Sequence, residues 1–213
     1  MRPVQIKGSE RVLLVGRTGS GKTYAAMTLL TPVPRMIAID LDGALDDYGF
    51  DDPSEGTARR LENGQPVRVR LQEIGQALSY LETALESGGC IIYIDEVYAV
   101  LEQTRRGGPE AVNAIWTRGR KRNVGGWVSS QRPTWLPLTL ISEADWYFCF
   151  RLTLEEDRKR MSSFMGQEVM NPITDKHGFF VANAGWETPD YYRQLNTSLK
   201  FTPATKTREG VPI

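Results

Sequence analysis

Histidine is almost missing from the chain: a single residue, His177, stands among 213. Cysteine is nearly as scarce, with only Cys90 and Cys149. Metal sites assembled from His and Cys clusters therefore have nothing to draw on. Both cysteines fall in apolar, strand-like runs, where a free thiol serves as a small core hydrophobe rather than half of a disulfide. His177 is expected in a loop or at a strand edge. No apolar run approaches the ~18 to 20 residues of a membrane-spanning helix. The opening MRPVQIKGSE also lacks the apolar segment of a secretory leader. A cytoplasmic chain with no membrane span is expected. Net charge is missing too, since 26 Lys and Arg balance 26 Asp and Glu.

A hydrophobic fraction of 40% over this length supports one medium-sized core. The expected organisation is a single domain over residues 1–200, with a polar tail at 201–213 that is loose or docks on a neighbour. The organising stretch is Arg11 to Thr23, RVLLVGRTGSGKT. Val12 to Val15 has the β-branched content of a buried strand and runs into Gly16-Arg17-Thr18-Gly19-Ser20-Gly21-Lys22-Thr23. That is GxxxxGKT, a phosphate-binding loop. Glycine at 16, 19 and 21 admits backbone conformations in which N–H groups approach a triphosphate closely. Lys22 would reach the β- and γ-phosphates of ATP, and Thr23 would offer its hydroxyl to Mg²⁺. From Thr23 on, YAAMTLL is a helix former, so the phosphates would lie at a helix N-terminus.

Pro32 and Pro34 stop that helix, and Met36 to Ile39 is the next strand, delivering Asp40 and Asp42. The following LDGALDDYGFDDPSEG has the composition of a solvated acidic loop, in which these carboxylates are solvated, cap a helix or serve turns; the alternative is a role in the ligand crevice at the strand ends. PVRVRL at 66–71 alternates as a half-exposed strand does, and Ile74, Leu78, Leu81 and Leu85 mark a helix over 72–86. Cys90 to Ile94 is a continuous apolar strand ending in Asp95-Glu96. An aspartate there reaches the Mg²⁺ shell beside Thr23, and a glutamate directly after it polarises the attacking water. Asp95 is assigned to metal and Glu96 to catalytic base. A P-loop nucleotide kinase has no need of that glutamate. Val124 to Ser130 is a further core strand whose tip residue, Gln131, would sense the γ-phosphate or orient the water. Its alternative is a turn glutamine before Arg132-Pro133.

Positive charge concentrates between Glu102 and Arg132, where seven basic residues face only Glu102 and Glu110. A local excess of this kind holds a polyanion even on a neutral protein. Arg105-Arg106-Gly107-Gly108 reads as a mobile basic loop on the catalytic side, and Glu110 to Gly119 as a helix. Trp146 to Leu152 is the last core strand, and a helix follows Thr153. Residues 177–184 and 191–195 are expected as an edge hairpin.

Residues 118–133, RGRKRNVGGWVSSQRP, resemble the GRKxG…(S/T)QRP signature of the FtsK/HerA superfamily of DNA-pumping ATPases, at the expected distance after a P-loop and an Asp-Glu pair. The three motifs span about residues 10 to 135. The small size is similar to the genome-packaging ATPases of membrane-containing icosahedral viruses and phages. This resemblance implies an α/β, RecA-like P-loop NTPase of the ASCE division, with a mostly parallel central sheet flanked by helices and a C-terminal edge hairpin. It implies an ATP-hydrolysing ring, hexamer or pentamer, that translocates double-stranded DNA into a capsid, docked on a capsid, portal or vertex protein. Carried over by position, Gln131 matches the family's sensor and Arg120 the arginine offered to a neighbour's nucleotide. Arg122-Asn123 replaces the family's Gly-containing turn, so Arg118, Arg120 and Arg122 all stand as candidates; the alternative is a solvated helix end. Arg105 and Arg106 would line the pore and hold DNA phosphates. The competing functions are a cellular or plasmid translocase of the same superfamily, for conjugation or repair, a filamentous-phage assembly ATPase, and a nucleotide-dependent switch that does not translocate.

Overall fold

A computed structural model of the chain describes residues 2–104, 110–195 and 199–202. Its strands follow the apolar runs. After Val4–Lys7 (β1) come Arg11–Val15 (β2), Arg35–Ile39 (β3), Val67–Leu71 (β4), Ile91–Ile94 (β5), Gly125–Ser130 (β6) and Trp146–Phe150 (β7). Phe179–Asn183 (β8) and Asp190–Tyr192 (β9) form the expected edge hairpin. Strands β2 to β9 make one eight-stranded sheet in the order β4-β3-β5-β6-β2-β7-β8-β9. Pairing is parallel from β4 through β7 and antiparallel from there to the edge.

Parallel strands need helical crossovers, and these cover both faces. The helices are Lys22–Leu29 (α1), Glu55–Glu62 (α2), Ile74–Ser87 (α3), Val97–Thr104 (α4), Glu110–Arg118 (α5), Leu138–Ser142 (α6) and Glu155–Met165 (α7). Successive residues of β2 point to opposite faces: Leu13 and Val15 join the core shared with α3, α5 and α7, while Val12 and Leu14 join the core under α1. All four are fully buried, which is why this strand reads as a continuous apolar run rather than an alternating one.

The glycine pair Gly125-Gly126 at the start of β6 has a packing origin. A Cβ on Gly126 would stand 3.0 Å from the Trp116 ring, and one on Gly125 would meet Gly8 O at 2.5 Å. The missing Cβ of Gly126 lets α5 and its tryptophan lie directly on the sheet, and that of Gly125 lets the backbone of residues 8–10 pass close to β6. Cys90 and Cys149 are buried and free, and burial pushes the Cys90 thiol up to about 12. No helix among the described residues is long and apolar enough to cross a membrane.

Three features differ from the sequence expectation. Asp40 serves a turn, as expected, but is buried rather than solvated: its carboxylate accepts from Ala44 N and Leu45 N, both at 2.9 Å. The acidic loop is followed by α2, which starts with a reciprocal Ser54–Thr57 capping box. Secondly, Leu199–Thr202 (β10) pairs in parallel with β1, Val4 opposite Leu199, so ordered backbone runs two residues into the stretch expected as tail. Thirdly, α4 occupies residues after Glu96 for which no helix was expected. A buried cation, Arg35 on β3, fastens two helix ends. It donates to Gly88 O at 2.5 Å, Leu61 O at 2.7 Å and Ser87 Oγ at 3.1 Å.

Candidate active site

Because β2, β5 and β6 are adjacent and parallel, their C-terminal ends share one edge of the sheet. Ile94 pairs with Val128 and Val15 with Ser130. The P-loop, Asp95-Glu96 and Gln131 therefore meet there, as their positions after apolar runs predict.

The loop is strapped to its neighbours by two backbone bonds. Gly16 N donates to Ser130 O at 3.1 Å and Arg17 N to Arg151 O at 2.9 Å. Gly16 has φ +154, and a Cβ there would stand 2.6 Å from Phe150 Cβ, so no other residue fits between β2 and β7. Gly21 caps α1 in the left-handed region, and the first-turn amides of α1 have no partner within the helix. Ser20 Oγ is buried without a hydrogen-bond partner. Lys22 folds back, donating to Gly16 O at 2.7 Å and Arg17 O at 3.3 Å. Burial lowers its pKa, against the upward pull of Glu96 and Asp95. A glycine cradle, unpaired amides, an orphaned hydroxyl and a lysine satisfied only by carbonyls fit a bound phosphate chain.

Opposite the loop, Thr23 Oγ1 donates to Asp95 Oδ1 at 3.4 Å. The same oxygen accepts from Tyr93 OH and Ser129 Oγ, each at 2.6 Å. Three donors on one oxygen leave the other lobe of Asp95 for a cation. Among the described residues no cluster of three His, Cys, Asp or Glu exists to hold a metal unaided. One carboxylate plus a hydroxyl suits Mg²⁺, which takes its remaining ligands from phosphate oxygens and water.

Glu96 adopts φ +46, a left-handed conformation rare for a non-glycine residue. Its N–H donates to Ser129 Oγ at 3.0 Å, which holds the turn. Its carboxylate accepts from Gln131 N at 3.1 Å and Ser130 Oγ at 3.1 Å. Burial raises the Glu96 pKa, outweighing the downward effect of those two donors and of Lys22. Gln131 reaches the other way as well, its Oε1 accepting from Thr18 Oγ1 at 2.8 Å. It thereby bridges the loop tip and the acid. Ser129 and Tyr93 escape sequence reasoning, since hydroxyls in an apolar strand carry no motif; Ser130 falls in the (S/T)QRP signature but its bond to Glu96 is not readable from it.

The arginines fall elsewhere. Gly119–Arg122 is a 3-10 turn ahead of β6, on the edge opposite the P-loop. Arg118, Arg120 and Arg122 are exposed there. Arg120 pairs with Asp145, which also accepts from Arg11 Nε at 3.2 Å. Burial pushes the Asp145 carboxyl up, but the Arg11 and Arg120 donors prevail and hold it below the usual range. At ~3.3 Å per residue, the five steps along β6 separate this cluster from Gln131 by ~17 Å. Arg105 and Arg106 lie outside the described residues.

No family model matches the chain. It is 30% identical over 169 residues to the DNA packaging ATPase P9 of Enterobacteria phage PRD1, covering 73% of this chain and 70% of that protein. Among solved structures it is similar to B204, the DNA-packaging ATPase from Sulfolobus Turreted Icosahedral Virus, with TM-score 0.70, 16% identity and coverage of 88% and 98% of the two chains. It is also similar to the pCW3 conjugation coupling protein TcpA, with TM-score 0.58, 16% identity and coverage of 87% and 60%. At these identities the structural likenesses establish a P-loop NTPase fold.

Proposed function

The chain belongs to the family of the phage DNA packaging ATPase P9, and from that premise we propose that it is an ATP-hydrolysing motor that moves double-stranded DNA into a viral capsid. The observation that carries the catalytic part is the convergence of Lys22, Thr23, Asp95, Glu96 and Gln131 on one sheet edge, with Glu96 held by donors from the strand that also straps the loop.

The proposed roles follow from the geometry. On nucleotide binding Lys22 exchanges two backbone carbonyls for phosphate oxygens, and the amides of residues 16–23 cradle the chain. Thr23 and Asp95 would hold Mg²⁺, which supplies charge neutralisation on the phosphates. Glu96 takes a proton from water as the water oxygen bonds to the γ-phosphorus and the bond from that phosphorus to the β,γ-bridging oxygen breaks, so that ADP leaves with the bridging oxygen; a carboxylate with a raised pKa is the better base near neutrality. Gln131 couples that water to the loop tip through Thr18.

A ring of copies completes the site in this proposal. Arg118, Arg120 and Arg122 stand ~17 Å from their own site, so one of them acts on a neighbour's nucleotide. Arg105 and Arg106, of the basic segment, would contact DNA phosphates without regard to sequence. The capsid, portal or vertex partner follows from the packaging role.

The test is steady-state ATP turnover with and without double-stranded DNA, for wild type and Glu96→Gln, with sizing in ATP. Expected are DNA-stimulated turnover, its loss by at least ~100-fold in the variant, and a ring-sized species. Tight ATP binding with no turnover under any condition would instead support the nucleotide-dependent switch.

A further inference from the structure

The P-loop accounts for phosphates but not for the rest of a nucleotide. Beside it lies a cavity of about 500 Å³, lined by Gly21, Tyr24, Phe150, His177, Phe179 and Gln194 among others. We propose that this cavity takes the purine base of the nucleotide, stacked on Tyr24 and read at its polar edge by His177 and Gln194. The assignment rests on the reading of the P-loop as the triphosphate site.

Sheet order gives the direction. The catalytic acids and Gln131 follow β5 and β6 on one side of β2, whereas the cavity is walled by β7 and β8 on the other. A phosphate chain whose γ end meets Glu96 must therefore leave the loop, nucleoside first, toward β7. The cavity opens at that point, because Gly21, the residue capping α1, is one of its walls.

The walls have the chemistry of a base site. Tyr24 sits in the first turn of α1 and is 62% exposed, an aromatic ring left in water directly after the phosphate-binding Thr23. Phe150 and Phe179 pack with ring centroids 4.8 Å apart and floor the cavity. Phe150 also touches both ends of the P-loop: a Cβ on Gly16 would meet its Cβ, and one on Gly21 would come within 3.7 Å of its Cε1. The same ring thus sets the loop and the cavity at a fixed offset. The His177 imidazole lies on the loop backbone, its Nδ1 3.5 Å from where a Gly21 Cβ would be. Rings on the floor and flank with a few polar groups at the rim, in a volume inside the ~300–1,000 Å³ of small-ligand sites, suit a flat heterocycle with ring nitrogens and an exocyclic amine. A charged or aliphatic ligand would leave either the aromatic walls or the rim groups unused.

Titration calorimetry of ATP, CTP and inorganic tripolyphosphate, each with magnesium, tests this on wild type, Tyr24→Ala, Tyr24→Phe and His177→Ala. Base stacking on an aromatic ring is lost on truncation with a roughly 5- to 150-fold fall in affinity. Tyr24→Ala should weaken ATP by about tenfold, leave tripolyphosphate unchanged and narrow the preference for ATP over CTP; Tyr24→Phe should restore ATP affinity. His177→Ala should weaken ATP and not tripolyphosphate. Equal losses for ATP and tripolyphosphate, or no loss for either, would overturn the base assignment while leaving the phosphate site intact. Failure of wild type to bind tripolyphosphate or ATP at all would overturn the phosphate-site reading, and this assignment with it.

Discussion

Ser129 gives the sharpest test of how the site is built, since motif reasoning assigns it nothing and the structure gives its hydroxyl two bonds. Its Oγ donates to Asp95 Oδ1 at 2.6 Å and accepts from Glu96 N at 3.0 Å. Ser129 is 1% exposed. Replacing it with alanine removes a charge-assisted bond, worth ~1.5–3 kcal/mol, and strands an amide at a further ~1–3 kcal/mol. That amide belongs to a residue whose left-handed backbone already costs ~1–2 kcal/mol. Asp95 keeps its bond from Tyr93, and both acids are only half-buried, so relaxation and water recover part of the sum. About 2–3 kcal/mol remains. The turn that loses its support carries the proposed base, so the cost falls on the transition state: at 1.36 kcal/mol per decade, kcat drops ~30- to 160-fold. The P-loop is untouched, so KM for ATP stays within about twofold. Steady-state kinetics on Ser129→Ala, alongside Ser130→Ala, decides. A kcat within about threefold of wild type would refute the claim that Ser129 sets Glu96, and a raised KM with unchanged kcat would place its effect on binding instead.

Burial of Glu96 disfavours its ionised form, so the acid limb of kcat should lie above the ordinary 4.5, and Ser130→Ala, which removes a donor to the carboxylate, should move it higher. The same shift affects stability: no cost exists below the unfolded pKa, and the cost grows as pH rises through the raised folded value, so Glu96→Gln should melt above wild type at pH 7 and converge with it near pH 4. Arg35→Met removes a buried donor from three helix-end acceptors and should cost ~3 kcal/mol, seen as a lower denaturant midpoint; a change under ~1 kcal/mol would mean those groups find water. If Arg120 acts on a neighbour, mixing Arg120→Ala with Glu96→Gln subunits should recover turnover that neither has alone, and no recovery in mixed assemblies would rule out that arrangement.

The parallel core of the sheet, the edge hairpin and the catalytic edge are legible because they are local. Val12 to Val15 and Cys90 to Ile94 are apolar runs too long to be anything but buried, and each hands over directly to its chemistry at Gly16 and at Asp95. The rest depends on partners distant in sequence. Leu199–Thr202 becomes a strand only because β1, nearly two hundred residues earlier, supplies its hydrogen bonds. α2 has a mean hydropathy too low to suggest burial and is held by Thr57 and Leu61 and by the bond between Thr57 Oγ1 and Tyr80 OH at 2.8 Å. Arg35 looks like a strand-end surface charge until three helix-end groups close on it.

The same distinction governs the arginines. On the catalytic edge, Arg132 is bound by Glu156 and Asp157 at 2.6 and 2.8 Å and lies 4.7 Å from the centroid of the Trp135 ring. Arg151 spends its guanidinium on Ile173 O and Thr174 O at 2.9 and 2.5 Å. Each would have to abandon charged or carbonyl partners to meet a γ-phosphate, at ~1.5–3 kcal/mol per bond. Gln131, already shared between Thr18 and Glu96, carries no charge to offer. Lys22 and the exposed Arg17 are the cations of the proposed P-loop site, while charge builds on three equatorial oxygens of the γ-phosphoryl. In the proposed ring, a further cation from a neighbouring copy would share that load. The exposed row at Arg118, Arg120 and Arg122, at the strand end opposite the P-loop, is the surface proposed to supply it, Arg120 only on leaving Asp145.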